Sequence, residues 1–353
     1  MEPRTWGGIL FPHMPYGEQH LDFGQQADYL LGKGLVADRD ELIQRLRNIG
    51  SHRLYAYAHP YLQRSPEGEP TEEFQEGTTL EKIWRHYQFD RNLRRHFLDA
   101  VERIEVALRS LLSYHHTENH TPYDYANADY FPQWKGYLQK LEHLTAQKKA
   151  GDAYAKTGVE GAGGHVDPCG GQREYLPIWL ALGISDFGFL CYFYRYSDKS
   201  IRQKIAQSWG LSVKVLSSWL PALRDLRNDC AHHARVWNKG YTRYIPSLPA
   251  YSEDKQWYYT YSDRLGKWVK PDANAGNLQP FVAESSAACF LFICRRWMRA
   301  VAPISHWHER VTEFLLSAEA QGIALRKMGL PPHWETHGYM VQQCGFLGAC
   351  VIA

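Results

Sequence analysis

The sequence has no C-x-x-C pair. Its seven cysteines (Cys169, Cys191, Cys230, Cys289, Cys294, Cys344 and Cys350) are odd in number and scattered. Such spacing lays out neither a zinc ribbon nor a disulfide framework, and it implies a reducing, cytoplasmic setting. Long apolar runs are also missing: the best membrane candidate, Phe281 to Val301, is interrupted by Glu284, Arg295 and Arg296, whereas a span needs about 20 predominantly apolar residues. The opening stretch MEPRTWGGILFPHMPYGEQ has no basic region followed by an apolar one, so it does not read as a secretory signal. A soluble protein without membrane contact is expected. Charge of one sign is not in excess either, with 40 Lys and Arg against 38 Asp and Glu in 353 residues. That balance excludes a uniformly basic nucleic-acid coat and a strongly acidic solvating chain.

What is present is enough apolar material for a real core, 44% of residues against 22% charged, which argues against disorder. Aromatics are plentiful at 12 Trp, 23 Tyr and 14 Phe. They can fill a core or offer stacking surfaces to bases or a partner protein.

Helical periodicity dominates. After a Gly-, Pro- and aromatic-containing arm (residues 1–24), short helices are expected over Asp28–Lys33 and Asp40–Ile49, with Gly50 as a stop. Residues 64–79 read as a polar loop. From Leu80 to about His116, Leu93, Phe97, Val101, Ile104, Leu108 and Leu111 step by threes and fours, which predicts one long amphipathic helix. A break near Asp90 is allowed, since its carboxylate can cap a new start. Residues 158–172 are a Gly-rich insertion without the preceding strand or the G-K-S/T ending of a phosphate-cradling loop. Helices are then expected over Ile178–Tyr196, Ser200–Ser208 and Val213–Trp237, the last tolerating Pro221 if it begins near Ser218. Residues 239–278 are aromatic and polar and fit a hairpin, and helices at 279–301, 306–321 and 336–343 close the chain. The expected class is all-α (mainly α): one helical domain (25–301) with long loop insertions and a C-terminal helical extension (302–353) packed on it.

The near-neutral total conceals a local surplus. From Arg195 to Arg243 ten basic residues face only Asp198, Asp225 and Asp229, so this segment is +7 and the remainder −5. A phosphate-binding face would show such a surplus, and so would an ordinary solvated helical surface. Inside it lies RDLRNDCAHHARVWN (224–238). Asn228 and His232, four apart, share a helix face about 200° around from Leu226 and Cys230. Arg227 is five before His232, about 140° away on an ideal helix, so their tips meet only by reach, by distortion, or across two chains. Histidine moves protons near neutral pH and Arg presents a fork of donors to phosphate, a pairing suited to phosphodiester chemistry. A surface histidine without a task is the plain alternative. Arg227 to His232 spells R-x4-H, and the one-longer R-x5-H spelling occurs at Arg53–His59 and Arg109–His115, both read as structural. His115, His116 and His120 with Glu118 invite a metal reading, but no further ligand is suitably spaced. Cys230 and His233 are assigned to packing.

Several blocks in order carry a resemblance: LIQRLRNIGSHRLYAYAHPY (42–61), FDRNLRRHFLDAVERIEVALRSLL (89–112), LPIWLALGISDFGFL (176–190), SSWLPALRDLRNDCAHHARVWN (217–238) and MGLPPHWE (328–335). Over most of its length the chain resembles the abortive infection (Abi) proteins of the AbiD and AbiF type, which are similar to the HEPN superfamily of α-helical, metal-independent ribonucleases. The resemblance implies a HEPN-like helical bundle, phage defence or toxin-antitoxin action, and an RNA substrate or noncoding RNA partner. It also implies a homodimer with a composite site, no cofactor, and 2′,3′-cyclic phosphate and 5′-hydroxyl products. Carried onto this chain, it makes His232 the general base or acid, Arg227 the stabiliser of the transition state and Asn228 an orienting group. Glu105 and Arg109, four apart on the preceding long helix, are either supporting groups or an ordinary ion pair. Arg224, Arg235, Lys239 and Arg243 are candidate RNA contacts. A non-catalytic RNA-binding protein and an α-helical interaction scaffold remain as alternatives.

Overall fold

The computed structural model describes residues 20–127, 176–250, 252, 254–270 and 280–338. It divides into two compact units, residues 1–93 and 94–353. The class is mainly α, with two small antiparallel hairpins among the described residues.

The first unit holds α1 (Phe23–Gly32), α2 (Arg39–Ile49) and α3 (Ser51–Ala58). Helix α1 starts before the expected Asp28 because Asp22 and Gln25 cap it reciprocally: Asp22 Oδ1 accepts from the Gln25 N–H, and Gln25 Oε1 accepts from the Asp22 N–H. Gly50, at φ 77°, ends α2 and turns the chain directly into α3, a conformation that costs glycine nothing. The expected loop at 64–79 is corrected. Strands β1 (Leu62–Arg64) and β2 (Pro70–Phe74) pair antiparallel through a turn in which Gly68 takes φ 88°. Only the ends of this ribbon, Leu62 and Phe74, are buried, so its middle reads as polar. They join Leu30, Leu42, Leu46, Leu54 and Ile83 in the unit's core.

Helix α4 runs unbroken over Leu80–Thr117 and carries the division between the units. Asp90 does not restart it; its buried carboxylate accepts a hydrogen bond from the Tyr57 hydroxyl instead. The buried stripe is Leu93, Phe97, Val101, Ile104 and Leu108, ending on Leu112 rather than Leu111.

In the second unit the helix expected over Ile178–Tyr196 is two, α5 (Ile178–Ile184) and α6 (Phe187–Tyr196). Asp186 interposes, its carboxylate accepting from the Phe189 N–H at 2.7 Å. After α7 (Lys199–Ser208), α8 (Val213–Ala231) packs on α6 and α7. It begins at the Ser212 cap, so Pro221 lies in its interior and not in its first turn. An interior proline costs about 3 kcal/mol. Full burial of Leu216, Trp219, Leu220, Leu223 and Leu226, at about 1.5–3 kcal/mol per large apolar side chain, outweighs it.

The hairpin is present as β3 (Thr260–Ser262) and β4 (Lys267–Val269), with Tyr261 opposite Trp268. Helix α9 (Ala287–Val301) starts at the Ser286 cap, later than residue 279, and is followed by α10 (Trp307–Ala320). Trp307 Nε1 donates to the His96 carbonyl of α4 at 2.9 Å. No described helix is long and apolar enough to cross a membrane. The arm before residue 20, the 158–172 insertion and the helix expected beyond residue 338 lie outside the described residues.

Candidate functional site

The end of α8 fixes the R-N-x-x-x-H block. The helix stops at Ala231, six residues short of the expected Trp237, because His233 takes φ 60°. The His233 N–H donates to the Cys230 carbonyl at 3.2 Å and the Ala234 N–H to the Asp229 carbonyl at 2.8 Å. This pair of bonds is the Schellman closure, here built on a histidine where glycine is usual. Beyond it, Val236 and Trp237 are fully buried and Arg94 donates to the Ala234 carbonyl at 3.2 Å. The turn is therefore anchored on both sides. His232 is the residue at the cap, and its N–H still bonds the Asn228 carbonyl at 2.9 Å, which preserves their four-residue adjacency. Both side chains are exposed. His233 is exposed as well, which corrects its assignment to packing; Cys230 is 1% exposed, in the core.

Arg227 lines a groove of about 490 Å³ together with Leu98, Asp99, Glu102, Glu105, Val106 and Arg109 of α4. Arg109 is committed there: it pairs with Glu105 and donates to the Leu182 carbonyl at the end of α5. Asp99 is held by Arg103 at 3.0 Å and Arg310 at 2.7 Å. Arg227 has only a long 3.5 Å contact with Asn228 Oδ1, so its donors remain available. The structure thus brings Arg227 together with Glu105 and Arg109, while Asn228 and His232 are not among the residues lining that groove. Asp99 and Glu102 were missed in the sequence, although their spacing from Glu105 and Arg109 puts them on the polar side of α4.

Past the turn, residues 239–247 run back along α8. Lys239 Nζ meets Asp229 at 2.6 Å, the Arg224 guanidinium lies 4.8 Å from the Tyr244 ring, and Trp219 Nε1 donates to the Ser247 carbonyl at 2.7 Å. Arg224 is also paired with Asp225 at 2.7 Å. Both carboxylates of α8 are thereby neutralised by their own neighbours. Arg243 is exposed, 5.4 Å from the Tyr244 ring, and Arg235 is half-buried beside the turn. The hydrogen bond from Arg224 pulls the Tyr244 phenol below its ordinary range. Tyr244 was not singled out in the sequence, where it is one of 23 tyrosines.

The other histidines serve elsewhere. His115 bonds Glu118 at 2.9 Å, and His120 bonds Asp198 at 2.7 Å and stacks on His116. Burial, foremost, and the neighbouring His120 drive His116 down to about 4. No group of side chains able to hold a metal ion occurs among the described residues. Burial likewise pushes the Cys191, Cys289 and Cys294 thiols up, away from nucleophilic use.

Fold and site define a helical protein in which the end of α8 exposes a histidine, while an arginine five residues earlier lines a groove against α4. The family described as Abi-like protein matches residues 44–238, and the chain belongs to that family of abortive-infection, phage-defence proteins. The match ends at Asn238, just past the capped turn that displays His232. No curated protein and no solved structure matches the chain.

Proposed function

We propose that this protein is a metal-independent endoribonuclease that acts in phage defence by cutting RNA. One observation carries the reading: the R-N-x-x-x-H block stands at an anchored helix end with the Arg227 guanidinium and the His232 imidazole both uncommitted. His232 takes the proton of a ribose 2′-hydroxyl, and the freed oxygen attacks the adjacent phosphorus. The bond to the 5′-oxygen breaks, that oxygen takes the proton from the imidazolium, and the ends left are a 2′,3′-cyclic phosphate and a 5′-hydroxyl. Arg227 stabilises the charge gathered on the phosphoryl oxygens, as a preorganised donor should. Asn228, one helical turn before His232, orients the ring. Glu105 and Arg109 support Arg227 from the facing wall of the groove. The working site is composite, joining Arg227 of one copy to His232 of a second in a homodimer; the absence of His232 from the residues that line the Arg227 groove supports this reading.

The test is cleavage of varied RNAs in EDTA. His232→Ala is expected to lower the rate by about 10²–10⁴-fold, the usual worth of a general acid or base, with cyclic-phosphate ends in the wild-type products. Equal rates for His232→Ala and wild type would sink the reading. A second reading, RNA binding without cleavage, is favoured by Glu102, the groove-wall carboxylate near Arg227 that no described ion pair neutralises, because it disfavours a phosphate held at Arg227. It expects salt-sensitive RNA binding that survives His232→Ala and no product at all.

A further inference from the structure

The segment that runs back along α8 holds an aromatic ring in a cationic setting that the cleavage step does not use. From residue 213 to 245 there are six basic residues, Lys214, Arg224, Arg227, Arg235, Lys239 and Arg243, and two acidic ones, Asp225 and Asp229. Both acids are consumed by ion pairs with Arg224 and Lys239. No carboxylate of this stretch is therefore left to repel a polyanion. The positions Lys239–Asp229, Tyr244–Arg224 and Ser247–Trp219 descend along the helix as the chain ascends. This makes an antiparallel track of about 15 Å beside α8 at 1.5 Å per helical residue. Tyr244 sits on that track, half-buried, with the guanidinium of the paired Arg224 4.8 Å and that of the exposed Arg243 5.4 Å from its ring centroid. Arg224, itself held by Asp225, keeps its guanidinium over the ring.

We infer that Tyr244 is the stacking platform for an unpaired base, with Arg243 on the adjacent phosphate, so that the RNA this protein takes is single-stranded. A π-face flanked by guanidinium groups recognises any base, provided the base is not already stacked in a duplex. The track leads from Ser247 through Tyr244 to Lys239 and the turn that displays His232, so a strand lying on it is delivered to the Arg–His end of α8. Specificity for unpaired RNA then comes from the track and chemistry from the helix end. The inference rests on RNA being the ligand, as proposed above, but not on its being cut.

The experiment measures binding of the full chain carrying His232→Ala to a short unstructured RNA with one 2-aminopurine, and to its duplex, at fixed salt. The single strand should bind more tightly than the duplex, and 2-aminopurine should be quenched at one position. Tyr244→Ala should weaken binding by about 5- to 150-fold, the worth of one stacked base, and abolish the quenching. Tyr244→Phe should keep both, because it keeps the ring. Arg243→Ala should reduce the salt slope by about one phosphate contact. Unchanged thermal melting of Tyr244→Ala excludes a folding defect. Equal binding of duplex and single strand, no RNA binding, or quenching that survives Tyr244→Ala overturns the inference. Tyr244-dependent binding by a wild-type protein that never cuts overturns only the nuclease reading.

Discussion

His233 stands in the left-handed region where glycine normally closes a helix, and that single backbone angle ends α8 beside His232. Replacement by glycine relieves a strain of about 1 kcal/mol, whereas a β-branched residue is poorly tolerated there. We expect His233→Gly to melt at or above the wild-type temperature. His233→Val should lose about 1–2 kcal/mol in urea unfolding and, under the proposed nuclease reading, lower cleavage by displacing His232. Cleavage that is intact in His233→Val would mean that the turn does not hold the imidazole. The sequence makes the Arg, Asn and His of this block visible, because spacing on one element is local information. It cannot show that a histidine will accept positive φ, since nothing in the residue's type requires it. Nor can it show which arginines are spent: Arg109 and Arg227 look alike in sequence, and only the Glu105 and Leu182 partners of Arg109 separate them.

Elements are legible where an apolar stripe announces them. The long helix α4 and the placement of most of its core face follow from periodicity alone, whereas the starts of α1 at Asp22, α6 at Asp186 and α9 at Ser286 are set by caps that periodicity does not locate. The misreadings have physical causes of two kinds. The β1–β2 ribbon leaves no alternating signal because only its ends are buried, and Pro221 reads as a first-turn residue on propensity alone, without the burial that overrides it. That override can be measured. Pro221→Ala restores a donor for the Ser217 carbonyl, and the variant should be stabilised by on the order of 1 kcal/mol in thermal or urea unfolding, part of the usual proline penalty. A destabilised Pro221→Ala would show that the local backbone has adapted to the ring. By contrast Asp186→Ala should cost about 1 kcal/mol through loss of the α6 cap.

At the scale of the whole molecule, acid should act through buried histidines. His116 and His337 are fully buried, and burial holds both at about 4. In the unfolded chain they titrate near 6.5, so between these values the unfolded state binds more protons and folding weakens as pH falls. Stability is fully present above about pH 6.5 and is lost toward pH 4, by a few kcal/mol for each group at about 1.4 kcal/mol per unit. Urea unfolding across that window should show the loss, and His116→Leu should remove about one proton from its slope; an unchanged slope would count against a buried neutral His116. The proposed composite site makes a separate demand. Mixing Arg227→Ala with His232→Ala should restore about a quarter of wild-type cleavage, since half of randomly assorted dimers carry one intact site; no recovery would place the site within one chain. The capped end of α8 also sets which changes of chain length the site can absorb. A residue inserted between Arg227 and His232 rotates the imidazole by about 100° about the helix axis. Residues added beyond the buried Trp237 leave it in phase, so the motif tolerates variation on one side of the turn only.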